Sequence, residues 1–531
     1  MRPVRARHTV VRERPSFDAS SASPSSQVAR RSRSPSAVPL TTAILLHVGA
    51  THGKGRYMRG PELDWSVHYR EGKVGADYGD VCLPVDAAAG SHNAGSAGSS
   101  GTHGTLQNGE RAPGNENVWR PVQYLGSKLR VVDAISALAR EVVPGGAPVA
   151  DLFAGSTVVS QGLARAGFSV TAVDTQVYST LFARAMLGIG RADGECLDAE
   201  LVLEMAAADK HAMASVWSSH EAREDDAKLG TDARSLRKLY AALPLAWRRG
   251  RNVADAEAPL TSFYAGSYFG VRQALHLDSI RLALSRLEGC LPGSWLHAGA
   301  TTALMHAASM AVHSAGKHFA QPLKARAANA TFLDRRLLSD RAFSIPDAFR
   351  SACATINQTA PLKDMGHRTI RAEAEAYIGE SKASQALYYL DPPYTAQQYS
   401  RFYHVLETIA TSAMPAMPIG SAPTSGLYPA DRYKSAFSSR RQAPKALAQI
   451  LEGVATKGAI AIVSYSVSAR GSNGNARMIT LDELLSAGQD VFGVGRVEVI
   501  ELPHRYRQFN SVENANEGRD DREVLVLCRP V

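Results

Sequence analysis

One short stretch constrains the fold more than any other, namely Tyr388-Tyr389-Leu390-Asp391-Pro392-Pro393-Tyr394. Residues 387–390 predict a buried β-strand, because the run is short and apolar. Two consecutive prolines can continue neither a strand ladder nor a helix, so the chain must leave the sheet at Asp391. Asp391 is therefore predicted at the carboxyl end of a strand, where open α/β sheets bind their ligands.

The turn that follows this strand is stiff and rich in hydrogen-bond acceptors. The Asp391 carboxylate and the carbonyls of Pro392 and Pro393 can accept from an amino group, and Tyr394 offers a face for a planar base. Acceptors that engage both N–H bonds of an exocyclic amine favour the pyramidal nitrogen needed for attack. We therefore predict Asp391, Pro392, Pro393 and Tyr394 as catalytic residues. An ordinary strand-to-loop exit is the competing interpretation.

A second α/β signal lies upstream. Residues 148–153 predict a strand that turns at residues 154–156 into a helix over 158–166, and residues 168–174 predict the next parallel strand. The small residues of the turn let the backbone approach a ligand, and Asp174 at the second strand's end can accept both hydroxyls of a ribose. The unit is a candidate cofactor half-site, although any Rossmann-like fold can contain one.

Composition limits the class of protein. The chain has 531 residues, and 59 Lys and Arg against 50 Asp and Glu give a formal net charge of +9, which permits a polyanionic partner. The 5 cysteines are scattered without metal-ligand spacing, which predicts no metal site and a reducing, cytoplasmic location. The apolar run over residues 43–48 is too short to cross a membrane, so no membrane association is predicted.

The chain divides into four segments by composition and pattern. Residues 1–117 are rich in Ser, Arg, Gly and Pro and predict a disordered, low-complexity extension. The α/β pattern occupies residues 118–189 and 369–531, whereas residues 190–368 predict a mostly helical insertion. Its clearest helical periodicity covers residues 271–287 and 300–313. Such an insertion is well placed to contact a substrate, although a solvated helical insertion fits the same pattern.

A basic loop follows the catalytic turn. Its composition suits contacts with phosphates, because cations alternate there with Tyr428 and Tyr433. We predict four of its cations as DNA-binding residues: Arg432, Lys434, Arg440 and Arg441. A solvated loop is an equally good interpretation of these charges.

Three motifs occur in a characteristic order, Tyr124-Leu125-Gly126-Ser127-Lys128, Asp151-Leu152-Phe153-Ala154-Gly155-Ser156 and Asp391-Pro392-Pro393-Tyr394. With them, residues from about 122 to 529 resemble the Dam-like (D12 class) adenine-specific DNA methyltransferases. The resemblance implies an α/β fold with a seven-stranded, Rossmann-like S-adenosylmethionine-dependent methyltransferase sheet. It also implies that the helical segment before the catalytic strand is a target-recognition insertion.

The resemblance also implies roles for individual residues. Lys128 would meet the methionine carboxylate of S-adenosylmethionine, and Asp174 would hold its ribose. Glu373 would lie near the cofactor's adenine, a place for which Glu375 competes. The complete set of implied cofactor-binding residues is Tyr124, Lys128, Asp151, Phe153, Gly155, Asp174 and Glu373. The sequence departs from the family at Thr157, where a second glycine is usual, and this places cofactor affinity in question.

The implied reaction is direct methyl transfer to adenine N6 of double-stranded DNA, without a covalent enzyme intermediate or a metal. No cysteine follows a proline, as the nucleophile of a C5-cytosine methyltransferase would require. The target base would be extruded from the duplex at a cost of a few kcal/mol, which phosphate contacts can offset. The resemblance leaves open a cognate restriction endonuclease as a partner.

Other functions remain open on the sequence. The turn does not name the ring, so an RNA adenine methyltransferase or an N4-cytosine methyltransferase is an alternative. A protein glutamine methyltransferase also uses such a turn, but the basic insertion argues against a protein substrate. A catalytically inactive nucleic-acid-binding subunit is favoured by Thr157 and opposed by the intact segment 391–394.

Overall fold

The computed structural model describes residues 118–245, 258–291, 293–324, 330–413, 415, 424, 426–429, 431–466, 476–505 and 522–530. The predicted disordered extension over residues 1–117 lies outside the described residues.

The described chain forms an α/β fold around one seven-stranded sheet. The strands are β1 (Pro148–Asp151), β2 (Ser169–Asp174), β3 (Arg368–Arg371), β4 (Leu387–Leu390), β5 (Ile460–Ser466), β6 (Val497–Arg505) and β7 (Arg522–Cys528). Their order across the sheet is β3-β2-β1-β4-β5-β7-β6. The first five strands pair in parallel, and β7 pairs antiparallel with both β5 and β6. This mostly parallel sheet confirms the predicted Rossmann-like fold class.

The order reverses at β1, because the chain continues to β2 on one side and returns later to β4 on the other. Ligands of open α/β sheets bind at such a switch point, beyond the carboxyl ends of the strands. The sheet therefore brings together the segment after β1, which contains Gly155, and the segment after β4, which contains Asp391.

Helices cover both faces of the sheet. They are α1 (Val132–Val142), α2 (Val158–Arg165), α3 (Val177–Met186), α4 (Ala199–Leu229), α5 (Ala233–Ala242), α6 (Pro259–Tyr264), α7 (Val271–Cys290), α8 (Trp295–Ala311), α9 (Ala330–Ala342), α10 (Ile345–Thr359), α11 (Ala374–Glu380), α12 (Tyr399–Phe402), α13 (His404–Thr411), α14 (Ala443–Thr456) and α15 (Leu481–Phe492). Within the described ranges, every helix is too short or too polar to span a lipid bilayer.

The catalytic strand β4 is buried on both faces. Leu387 and Tyr389 pack into the core on one side of the sheet, and Tyr388 and Leu390 pack into the core on the other. A strand buried on both faces has a continuous apolar run rather than an alternating one. The sequence prediction for residues 387–390 is therefore confirmed.

The described residues between β2 and β3 are mostly helical, as predicted; α7 includes the periodic stretch 271–287, and α8 includes most of the stretch 300–313. The insertion is joined to the sheet domain through buried polar contacts. The indole nitrogen of Trp295 donates to the Ala185 carbonyl at 2.9 Å, and the Arg191 guanidinium lies 4.1 Å from the Trp295 ring centre. Further along the insertion, the Phe319 amide donates to the carbonyl of Phe402 at 2.8 Å, and Phe402 follows the Asp-Pro-Pro-Tyr turn in the chain.

Candidate active site

The strand register places three predicted carboxylates at one edge of the sheet. Asp151 is opposite Tyr389 on one neighbouring strand and Ala172 on the other, so β1, β2 and β4 end at similar heights. A cleft of about 930 Å³, including the solvent at its mouth, opens at this edge. It is lined by many predicted site residues, namely Tyr124, Lys128, Asp151, Phe153, Gly155, Asp174, Asp391 and Pro393.

The Asp-Pro-Pro-Tyr turn holds a compact hydrogen-bond network. The Tyr394 hydroxyl makes a very short hydrogen bond to the Asp391 carboxylate and lies 3.1 Å from the Ser464 carbonyl oxygen. The Tyr394 ring packs edge-on against Tyr465, and its carbonyl accepts from the Met478 amide at 2.9 Å. The turn is thus fixed by β5 and the segment after it, as well as by its prolines.

Lys128 lies at the centre of this network. Its ammonium is 2.9 Å from Asp391 Oδ1 and 2.7 Å from Glu523 Oε1, and it also donates to the Gly126 carbonyl and to the Tyr394 hydroxyl. The side chain is only 4% exposed. Lys128 therefore contacts the groups predicted to hold the target base.

Burial and charge act in opposite directions on this cluster. Burial lowers the pKa of Lys128, but the attraction of Asp391 and Glu523 outweighs burial and holds that pKa well above its usual value. Burial raises the pKa of Asp391; the Lys128 charge counters this effect, and the negative charge of Glu523 adds to it. Lys128 is therefore a fixed cation within an acidic pocket.

The first and second motifs meet directly in the cleft. A Cβ at Gly155 would lie 2.8 Å from the Tyr124 ring, and Gly155 has a positive φ of 49°. Only glycine fits such a close approach without displacing its neighbour. Tyr124 in turn stacks on Tyr403, with ring centres 4.6 Å apart, and the Tyr403 hydroxyl accepts from the Leu125 amide at 2.7 Å.

The carboxylates at the ends of β1 and β2 organise the backbone around the cleft. Asp174 accepts from the Gly155 and Gln176 amides, each at 2.9 Å. Asp151 accepts from the Ser160 hydroxyl at 2.7 Å, and burial raises its pKa to about 7. Both groups line the cleft, and both also hold the turns that shape it.

Thr157 adopts a left-handed backbone conformation, with φ of 63°. This angle explains why a glycine suits the position, since a β-branched residue is strained there. The Thr157 side chain is fully buried, donates to the Ser156 carbonyl and accepts from the Gln161 amide nitrogen. Thr157 does not line the cleft, so it imposes backbone strain rather than an obstruction.

Glu373 and Glu375, the two candidates for the position near the cofactor's adenine, differ in their surroundings. Glu373 is exposed and precedes α11, whereas Glu375 lines the cleft and its pKa is raised by burial. The structure thus favours Glu375, the alternative that the sequence left open. Phe153 lies near by and packs edge-on against Phe437 at 5.3 Å.

The predicted DNA-binding cations have different environments. Lys434 and Arg441 are exposed, and the Arg432 guanidinium lies 4.6 Å from the Tyr428 ring centre. Arg440 instead makes a two-point ion pair with Glu483, at 2.6 and 2.7 Å. Its charge is balanced within the chain, which makes it the weakest of the four candidates.

Two residues of the site were not predicted from the sequence, Glu523 and Tyr403. Glu523 is the second residue of β7. Because β7 runs antiparallel to β5, its first residues lie at the same edge as the carboxyl ends of the parallel strands. The signal for Glu523 was an acid at the start of an apolar strand. The signal for Tyr403 was a cluster of aromatic residues directly after the catalytic turn.

The residues that line the cleft include polar groups of the kind that S-adenosylmethionine, the cofactor implied by the resemblance, would require. The Ser127 hydroxyl lines the cleft and is buried without a hydrogen-bond partner among the described residues. Asp174 provides acceptors suited to ribose hydroxyls, and the glycine at 155 lets the Tyr124 ring pack directly against the backbone of the cleft wall. The described ranges contain no group of three or more His, Cys, Asp or Glu arranged to hold a metal ion.

Comparison with known families gives a match over part of the chain. Residues 320–417 match the family described as D12 class N6 adenine-specific DNA methyltransferase. The matched range includes β3, β4 and the Asp-Pro-Pro-Tyr turn, and it ends before the basic loop. No curated protein matches the chain.

Proposed function

We propose that this chain, a D12 class N6 adenine-specific DNA methyltransferase, takes its methyl group from S-adenosylmethionine and modifies adenines within a specific DNA sequence. The observation that carries the proposal is the common edge shared by the Asp-Pro-Pro-Tyr turn and the glycine-containing turn after β1. A base amino group at the first turn would face a cofactor held at the second.

The residues of the cleft suggest how the cofactor is held. We assign Asp174 to the ribose hydroxyls, Phe153 and Gly155 to the methionine side, and Glu375 to the adenine side, since all four line the cleft. When bound, the cofactor supplies a sulfonium methyl: the carbon–sulfur bond breaks as the carbon–N6 bond forms, and the amine then releases one proton to solvent.

The turn would activate the base amine by accepting its N–H bonds. The Asp391 carboxylate and the adjacent proline carbonyls are fixed before the base arrives, so they need little reorganisation during transfer. Lys128 already shows that this pocket binds a nitrogen donor, since its ammonium lies 2.9 Å from Asp391. The base amine must share or take over this contact.

The basic loop and the helical insertion both contact the segment that follows the Asp-Pro-Pro-Tyr turn, and we propose that they bind the DNA. Lys434 and Arg441 are exposed there and are suited to phosphates. Phosphate contacts would offset the few kcal/mol needed to extrude an adenine from the duplex. Sequence specificity would then come from the insertion between β2 and β3.

The test is methyl transfer from labelled S-adenosylmethionine to mixed-sequence duplex DNA, followed by nucleoside analysis, with Asp391→Ala as the matched variant. We expect N6-methyladenine from the unaltered protein alone. Transfer only to RNA, or only to cytosine N4, would replace the proposed substrate. Absence of cofactor binding by calorimetry would refute the catalytic function itself.

A further inference from the structure

Glu523 is a buried carboxylate in the site that the proposed methyl transfer does not use. Its side chain is only 6% exposed, and its Oε1 lies 2.7 Å from the Lys128 ammonium. The Ser464 hydroxyl donates to the same oxygen at 3.3 Å. Burying a charge is costly even when it is paired, so a second carboxylate on a lysine that already pairs with Asp391 requires an explanation.

Lys128 is shared between two carboxylates rather than paired with one. The distances from its ammonium to Asp391 and to Glu523 are similar, 2.9 and 2.7 Å. When all three groups are ionised, the cluster carries a net charge of −1. A lysine paired with Asp391 alone would instead form a neutral pair, and the incoming amine would compete with the full attraction of that lysine.

We propose that Glu523 is a positioning residue for methyl transfer: it holds the Lys128 ammonium aside and leaves Asp391 with the acceptor capacity that the base amine needs. This inference rests on the proposed function. Glu523 acts through Lys128 and Asp391 and does not itself contact the base.

The surroundings of Asp391 define the expected pH dependence. The titratable groups that face it are Lys128, Asp151, Tyr389, Tyr394 and Glu523. Among the charged neighbours of Asp391, Lys128 lowers its pKa and Glu523 raises it. Glu523→Gln should therefore lower the pKa of Asp391, so the acidic limb of the kcat profile should move to lower pH while the plateau falls.

The first experiment compares single-turnover rates of the unaltered protein, Glu523→Gln, Lys128→Met and the double variant. We expect Glu523→Gln to lower kcat by about 10- to 100-fold, the usual cost of losing a group that orients a directly acting residue. The KM for DNA and the Kd for S-adenosylmethionine should change by less than about 2-fold. On the pH plateau, where Asp391 is ionised in every variant, Glu523 acts through Lys128, so adding Glu523→Gln to Lys128→Met should have little further effect on kcat.

The controls separate positioning from folding. Glu498→Gln alters an exposed carboxylate on the neighbouring strand β6, which pairs with Arg529, and should leave kcat unchanged. Glu523→Asp keeps the charge on a shorter side chain, so its rate should fall between those of the unaltered protein and Glu523→Gln. An unchanged kcat in Glu523→Gln, or independent and multiplicative effects of the two substitutions, would overturn the proposal.

A measurement that does not require methyl transfer tests the coupling between Glu523 and Asp391 separately from the proposed function. The pKa of Asp391, followed by NMR of 13C-labelled aspartate in cofactor-free protein, should fall in Glu523→Gln. An unshifted pKa would refute the coupling between Glu523 and Asp391 even if the enzyme methylates DNA. A shifted pKa in a protein that transfers nothing to DNA would instead refute the proposed function and leave the coupling intact.

Discussion

Replacing Asp151 with asparagine should change how the stability of the protein depends on pH. Asp151 is 1% exposed, and burial raises its pKa from 3.8 to about 7, although hydrogen bonds from Ser160 and Phe153 counter this effect. Below about pH 4, the carboxyl group is protonated in both the folded and the unfolded chain. Between about pH 4 and pH 7, the unfolded chain ionises first, so the folded state loses stability as pH rises.

The size of the effect follows from the pKa difference. The folded value of about 7 and the reference value of 3.8 differ by about 3 units. At about 1.4 kcal/mol per unit, this difference corresponds to about 4 kcal/mol of lost stability at pH 8. Asparagine does not titrate, and its side-chain oxygen can still accept from the Ser160 hydroxyl. Relative to the unaltered protein, Asp151→Asn should therefore gain about 4 kcal/mol between pH 4 and pH 8.

The assay is urea unfolding of both proteins at 25 °C across this pH range. The quantity that matters is the difference between their free energies of unfolding at each pH. Ser160→Ala is the matched control, because loss of its hydrogen bond should raise the pKa of Asp151 further and extend the loss of stability above pH 7. Parallel stability curves for Asp151→Asn and the unaltered protein would show that Asp151 titrates normally and would refute the reasoning.

Three further comparisons of variants have defined outcomes. At position 157, Thr157→Gly should be more stable than Thr157→Ala by about 1 kcal/mol in urea unfolding, because both lose the side-chain contacts but only glycine accepts φ of 63°. Gly155→Ala should weaken S-adenosylmethionine binding in calorimetry, whereas Gly145→Ala, with open space around its Cβ, should not. Lys434→Ala should reduce the salt dependence of DNA binding by about one phosphate contact, whereas Arg440→Ala, which removes an already balanced charge, should change it much less.

The parts of the site that were predictable from the sequence depend on local rules. Two prolines after an apolar run require the chain to leave the sheet, so the position of Asp391 at a strand end follows from its immediate neighbours. The strand, turn and helix around Gly155 likewise follow from periodicity and small residues. Parallel strands then bring these ends together, because their carboxyl ends share one edge.

The parts that were not predictable depend on distant pairing. Glu523 reaches the site because β7 runs antiparallel to β5, and the sequence around Glu523 does not indicate the direction in which β7 pairs. Arg440 and Glu483 pair across 43 positions, so a cation whose local sequence suggests a phosphate contact is already balanced. Whether Glu373 or Glu375 faces the cleft depends on where α11 begins, which periodicity does not fix to one residue.

Tyr403 stacks on Tyr124 and accepts a hydrogen bond from Leu125, and in the chain it follows the turn that ends at Tyr394, which we propose holds the base. The segment that follows the proposed base-binding turn therefore also supports Tyr124, which lines the cleft proposed for the cofactor. We therefore expect the two ligands to influence each other's affinity. If the bound cofactor changes the affinity for DNA by some factor, thermodynamic reciprocity requires that bound DNA change the affinity for the cofactor by the same factor. The enzyme would then select for the correct combination of cofactor and DNA rather than for each ligand separately.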